Sequence, residues 1–402
     1  MSLNGRALIV AMCIGQVGNL LPHVVVPAVM TRHLIPQWDL SASQAGFMAS
    51  AFALGYMCAV PFLTTLTDRK DARLILLTGS AVSGLATFAF GLLADGLWSA
   101  IAIWALAGIG FAGAYMPGLK ALVDRLPPGD SSRSITFYTA TFSIGVGLSF
   151  LIAQVAADAL GWRSAFFITA LGPLAMIAAC LGMAPVKPVP SSRRLLDFMP
   201  VFRNRAAMGF ILGYGAHCFE LYALRTWIVA FWTYVVARNG GSALLEPITV
   251  SVIAAVLAMP SSIIGNETAI RFGRHRAIVL FMCIAGIVAT LIGVSTSAAP
   301  AVLLALLFVY AIAIPADSGA LTSGMTLSAK PEYRGATMAM HSTVGFGLSG
   351  AGAWGIGVAL DAGGGIESST GWLVAFLVMA AGGLLGPLAI WWSHYDKVSE
   401  TK

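Results

Sequence analysis

The sequence predicts an all-α integral membrane protein of twelve transmembrane helices, arranged as two related six-helix bundles. Three observations carry that prediction. About a dozen long apolar runs follow one another along the 402 residues, Lys and Arg cluster in alternate gaps between them, and one motif recurs about 200 residues after its first appearance.

Composition sets the solvent. The chain is 58% hydrophobic and 10% charged, whereas a soluble domain has roughly 25% charged residues. Its mean hydropathy is +0.85. A span needs about 20 apolar residues, and such runs lie near 7–29, 44–66, 74–94, 98–122, 134–157, 163–183, 207–235, 249–270, 276–297, 300–324, 335–359 and 370–393. A spanning β-barrel is excluded, because its strands would alternate over about ten residues rather than run unbroken.

The first span follows Arg6 and resembles a secretory signal, but Gln16 and Asn19 interrupt it and no small-residue cleavage site follows, so it reads as a retained helix. Spans two and three flank the loop Asp68-Arg69-Lys70-Asp71-Ala72-Arg73, and Arg133 opens span five. The longest polar gap, 184–206, holds Pro185, Pro188, Pro190 and five basic residues; it divides an N-terminal bundle, 1–183, from a C-terminal bundle, 207–402. Span seven carries His217, Glu220, Arg225 and Trp227, span ten carries Asp317 just after Pro315, and Arg334 opens span eleven.

The basic residues orient the chain. Only Arg32, Arg163 and Arg238 fall on one side, nineteen fall on the other, and Arg225 lies inside a span. Cytoplasmic loops retain Lys and Arg during insertion, so the crowded side is expected to face the cytoplasm, with both termini there and the protein in a cell membrane of the bacterial inner type. The same bias explains the net charge of +6 and pI near 9.2 without a nucleic-acid partner. Cys13, Cys58, Cys180, Cys218 and Cys283 all fall in apolar runs and read as small buried hydrophobes.

The internal repeat is visible in Ser-Ile-Gly-Val-Gly-Leu-Ser at 143–149 and Thr-Val-Gly-Phe-Gly-Leu-Ser at 343–349, with Arg133 and Arg334 opening the two spans. The loop after span two also aligns with Ile270-Arg271-Phe272-Gly273-Arg274-His275 after span eight. With these features the chain resembles the major facilitator superfamily over its whole length. The family's loop signature, Gly-x-x-x-Asp-Arg-x-Gly-Arg-Arg, is met at Asp68, Arg69 and Arg73, with Thr64, Asp71 and Ala72 departing from it; the second copy keeps Arg271, Gly273 and Arg274. The resemblance implies the family's fold of two pseudo-symmetric bundles, with a midplane site between inward-facing spans one, four, seven and ten. Two departures count against a proton-driven drug exporter: Trp104 stands where the helix-four signature has Arg, and Gly147-Leu148 where the helix-five antiporter signature has Gly-Pro.

Two stretches, Gly108 to Gly113 and Gly345 to Gly350, match a dinucleotide fingerprint. Both sit inside apolar helices without a preceding strand, so close helix packing is the expectation. Asn266-Glu267-Thr268 fits a glycosylation acceptor but falls at the cytoplasmic end of span eight. No nucleophile or metal-ligand constellation appears, so neither an enzyme nor a cofactor is expected.

Ionisable groups within spans are the informative ones, since each costs at least about 2.5–3.5 kcal/mol at the bilayer centre. His217 and Glu220, three residues apart, share one helical face near mid-membrane, and Trp227 joins it at a spacing of seven. Substrate binding or proton coupling is expected at His217, Glu220, Arg225, Trp227 and Asp317, with Gln16, Asn19 and Tyr115 as polar candidates in the first bundle. Glu220 is the favoured proton carrier, and His23 and His341 read as packed histidines. A cytoplasmic gate is expected from Asp68, Arg69, Arg73, Arg133, Arg271, Arg274 and Arg334.

These features point to a monomeric secondary transporter in the lipid bilayer, moving a small organic or inorganic anion by alternating access with proton coupling. A multidrug or metabolite exporter is the alternative transporter. A non-transporting receptor or scaffold is the alternative of another class; it would be expected to carry an added soluble domain or long tail, and only about ten residues flank the spans.

Overall fold

The computed structural model describes residues 3–126, 131–188, 196–242, 244–330 and 333–399. Among them every regular element is a helix, the helices being joined by short turns and loops, apart from an isolated bridge between Leu3 and Met183. The first span is a bent pair, α1 (Gly5–Leu20) and α2 (Val25–Trp38), meeting at 47°. Then come α3 (Ala42–Leu66), α4 (Ala72–Leu93), α5 (Leu97–Val123), α6 (Ser131–Leu160) and α7 (Trp162–Leu181). The second half contributes α8 (Arg205–Arg238), α9 (Pro247–Phe272), α10 (Arg274–Val294), α11 (Pro300–Ser328), α12 (Arg334–Ala362) and α13 (Ser369–Ser393).

Ten of these helices, and the bent pair taken together, are long and apolar enough to cross a bilayer. The remaining one, α8, is 34 residues long and falls short in apolarity because it carries His217, Glu220 and Arg225 within the stretch that must cross. Counted with it, the spans number the twelve expected. Trp98, Leu85, Leu160, Ile264 and Trp391 are exposed on the outer surfaces of their helices, as side chains facing lipid should be.

The chain divides into two compact units: residues 1–34 with 51–197, and residues 35–50 with 198–402. Helix α3 is therefore shared, its first nine residues belonging with the second unit and the rest with the first.

The first unit holds an aromatic core. Phe90 stacks on Phe166 at 4.1 Å, and fully buried Trp104 packs against Phe52, Phe90 and Phe166. This is the physical meaning of the departure at that position: α5 there turns toward apolar packing, where an Arg would be unpaired. Gly110 and Gly113 lie against the backbone of Gly79 and Ser83 in α4, so the glycine fingerprint serves close packing.

In the second unit, Asn204 caps α8 by accepting from the Ala207 amide. Helix α11 is interrupted by a 3₁₀ turn at Ile314–Asp317, where Pro315 removes an amide donor. The Ser261 hydroxyl of α9 donates to the Ile312 carbonyl at this break, which is how a membrane helix tolerates a proline.

Candidate functional site

Two rungs of buried polar contacts join α8 to α11 within the second unit. His217 Nδ1 lies 2.6 Å from Asp317 Oδ1, with both side chains at 3% exposure or less. One turn further along α8, the Glu220 carboxylate accepts a hydrogen bond of 2.8 Å from the Tyr310 hydroxyl. His217 and Glu220 are three apart on α8, and Asp317 and Tyr310 seven apart on α11, so each pair shares a helical face. The helices run antiparallel, which matches the first residue of one pair to the last of the other. The 3₁₀ turn matters here because Asp317 ends it.

The Glu220 carboxylate fills space next to Gly383 of α13 that any side chain there would occupy. A fourth element closes the cluster. The Tyr214 ring stacks on His341 of α12 at 3.8 Å and on His217 at 5.5 Å, both nearly parallel. His341 Nε2 has a long contact of 3.5 Å to the Thr322 hydroxyl, while its Nδ1 is buried with no hydrogen-bond partner among the described residues. Sequence reading set His341 aside as a packed histidine and did not single out Tyr214 or Tyr310. The helical spacings from His217 and Asp317 were the available signal for both tyrosines.

The remaining span-seven candidates separate from this cluster. Arg225 is buried at 9% exposure, its guanidinium 5.3 Å from the Tyr222 ring centre. Trp227 Nε1 donates to the Ala353 carbonyl of α12 at 2.9 Å.

In the first unit, Gln16 and Asn19 are buried on α1. Tyr138 donates to Gln16 Oε1 at 2.7 Å, whereas Gln16 Nε2 and both amide atoms of Asn19 have no hydrogen-bond partner among the described residues. Tyr115 stacks on Phe111 at 5.9 Å and meets Phe142 edge-on, and the His23 ring sits about 5 Å from Phe52, Phe111 and Phe142. This unit offers amides, phenols and ring faces, while the acids and the buried imidazole pair belong to the other.

Asp71 organises the loop ahead of α4. Asp71 caps α4 through the Arg73 amide, holds Arg125 at 2.8 and 2.9 Å, and accepts from the Val186 amide at 2.8 Å. Arg73 donates to the Met183 carbonyl at 2.6 Å and Arg125 to that of Ala184 at 2.8 Å, so three side chains clamp the start of the linker. Burial would raise the Asp71 carboxyl, but the Arg125 hydrogen bond and the two backbone amides outweigh it and hold it below the usual carboxylate range. Asp68, Arg69, Arg271 and Arg334 are exposed and Arg274 is half-buried. Arg133 opens α6 with its side chain outside the described residues.

Comparison with known proteins agrees with this architecture. The sequence profile of the Major Facilitator Superfamily matches residues 8–353. Curated relatives include spinster homolog 3 of Danio rerio, 25% identical over 50% of this chain and 43% of that protein. The quinolone resistance protein NorA of Staphylococcus aureus is 28% identical over 46% of this chain and 50% of its own. A probable chloroplastic anion transporter 4 of Arabidopsis thaliana is 29% identical over 37% and 28%. The alignments thus span half or less of each relative's length. Among solved structures, a bacterial homolog of the human lysosomal transporter Spinster, inward-facing and occupied, superposes with a TM-score of 0.76 at 17% identity, covering 96% of both chains. A D-xylose-proton symporter superposes at 0.73 with 14% identity, over 95% of this chain and 96% of that one.

Proposed function

Since the chain belongs to the major facilitator superfamily, a family of membrane transporters rather than enzymes, we propose that it moves a small solute by alternating access and couples that movement to protons through the acid–base rungs between α8 and α11. The observation that carries this reading is the His217–Asp317 contact at 2.6 Å. A buried acid and imidazole in contact can pass one proton between them, and the pair can be neutral or ionic with no atom moving far. Burying an ion is tolerated only with a partner, so a change at either residue is felt by the other. Glu220 faces a phenol that donates to it, which makes it the second candidate and Asp317 the first, a reversal of the order read from sequence.

The solute we propose is a small organic or inorganic anion. Arg225 supplies the buried cation, and a probable anion transporter is among the relatives. Gln16, Asn19 and Tyr115 would supply neutral donors. Multidrug export is the second reading, favoured by the match to a quinolone resistance protein and opposed by Trp104 and Leu148 at the exporter signature positions. The crowded basic loops support a cytoplasmic location for both termini.

Thermal-shift screening of the purified protein against anions, amines and drugs identifies the solute, because a ligand that binds the folded state raises its apparent stability. In reconstituted vesicles, Asp317→Asn should then abolish accumulation driven by a pH gradient while exchange between equal pools persists. Full pH-driven accumulation in Asp317→Asn together with its loss in Glu220→Gln would return the coupling role to Glu220. Retention in both would refute proton coupling at these rungs.

A further inference from the structure

The first turn of α3 satisfies its own amides only in part. Ser41 and Gln44 form a reciprocal cap: the Ser41 amide donates to Gln44 Oε1 at 2.9 Å and the Gln44 amide to Ser41 Oγ at 3.2 Å. The Ala45 amide begins the helical ladder by donating to the Ser41 carbonyl at 3.0 Å. That leaves the amides of Ala42 and Ser43, and both are taken by a side chain more than 300 residues away. Asp361, at the end of α12, accepts from Ala42 at 2.9 Å and from Ser43 at 2.8 Å, one carboxylate oxygen to each. A carboxylate here also meets the positive end of the α3 dipole.

Beneath this contact, α3 and α12 approach at backbone distance. Gly357 lies on the Ala42 carbonyl, and a side chain there would meet it. One β-carbon on Gly46 would come 2.6 Å from the Ala353 carbonyl and 3.2 Å from the Trp227 ring. Trp227 donates to that same carbonyl, and Phe47 meets Trp354 edge-on at 6.2 Å. The seam is dry below and water-facing at its end, since Asp361 is exposed. A contact of this kind costs little to break at the wet end and seals well when made.

We propose that Asp361 is a gating residue, whose carboxylate latches the first turn of α3 to the end of α12 and releases it once in each transport cycle. Residues 42–50 group with the second unit while the same helix continues into the first. A rocking of one bundle against the other therefore has to part the seam, slide it, or bend α3. Gly46 and Gly357 form a flat contact that parts without unthreading side chains, and Asp361 supplies the polar hold that makes closure reversible. Trp227 positions the Ala353 carbonyl at its base. The inference rests on alternating access and is independent of the proton rungs.

The test reads the seam without a solute or a pH gradient. A Phe47→Cys reporter is labelled in intact cells with a membrane-impermeant maleimide from the face opposite the basic loops, against the parent chain as the measure of native-cysteine labelling. Asp361→Ala should raise the reporter's labelling rate about fivefold, the upper end of what a charge at a helix terminus contributes, while Asp361→Glu, which keeps the charge, stays within about twofold of the reporter alone. Ala42→Pro removes one latched amide at a position where proline starts helices well, and should raise labelling with Asp361 still present. Should Asp361→Ala fail to accumulate, Asp361→Asn and Ala42→Pro decide the matter by the same readout. Unchanged labelling in the Asp361 variant and in Ala42→Pro, at parental melting temperature, would overturn the latch, as would a rate for Asp361→Glu equal to that of Asp361→Ala.

Discussion

At the scale of single residues, the buried rungs and the linker clamp make opposite demands on charge. Replacing one member of the His217–Asp317 pair leaves the other buried without its partner, which typically costs about 3–5 kcal/mol, whereas apolar replacement of both is often mild. Asp317→Leu should therefore lower the melting temperature more than the double variant His217→Leu with Asp317→Leu, as measured by thermal unfolding in detergent. A double variant less stable than either single one would contradict this. The Asp71 clamp answers to pH. Its carboxyl titrates lower in the folded protein than when unfolded, so its stabilisation is full above the unfolded value and is lost as pH falls through the folded one. Asp71→Asn should cost about 1.5–3 kcal/mol at neutral pH and flatten the fall in stability below about pH 4. An unaltered acid slope in thermal melts of the variant would count against it. Sequence reading placed the loop and named Asp68 for a gate, but did not single out Asp71 as the cap. Capping depends on which residue immediately precedes the first helical turn, and that residue is Asp71.

At the scale of elements, hydropathy made the spans legible and left their irregularities to local chemistry. The first span was expected over 7–29; the helix pair runs from Gly5 to Trp38 and bends by 47° between Leu20 and Val25, where Pro22 sits and Pro27 follows. The break at Pro315 is a 3₁₀ turn, and its consequence for α9 was not legible, since it depends on Ser261 lying opposite. Ser261→Ala should cost about 0.6–1.7 kcal/mol, the range for polar contacts between membrane helices. Pro315→Ala should remove most of that cost by restoring a helical donor. Unfolding of the two single variants and the double one tests the pair, and strict additivity would sink the idea.

At the scale of the whole molecule, the twelve spans and the family were readable, because each rests on composition or on a repeat within the sequence. The partners of the site were not. Asp361 finds α3 across more than 300 residues, and no local pattern marks a carboxylate destined for another helix's amides. The asymmetry of charge was legible in outline: central acids occur only in spans seven and ten, and the structure brings those two helices together. Trp104 was read as a departure from the helix-four signature; its ring also completes an aromatic core, which no single position reveals.

The marginal apolarity of α8 reaches into biosynthesis. When Glu220 is added to the chain, the hydroxyl that will hold it is still 90 residues from being made, an interval of about 5–20 s at ordinary elongation rates. During that time His217 and Glu220 have no α11 to meet, and a helix that carries them together with Arg225 gains little by moving sideways into lipid. It has to wait, in the translocation channel or beside the finished first half, until α11 arrives. A nascent chain truncated before Pro300 should accordingly leave α8 poorly integrated, whereas extension past Ser328 should seat it. Equal integration at the two lengths, scored by engineered glycosylation sites flanking the helix, would show that α8 enters the bilayer on its own.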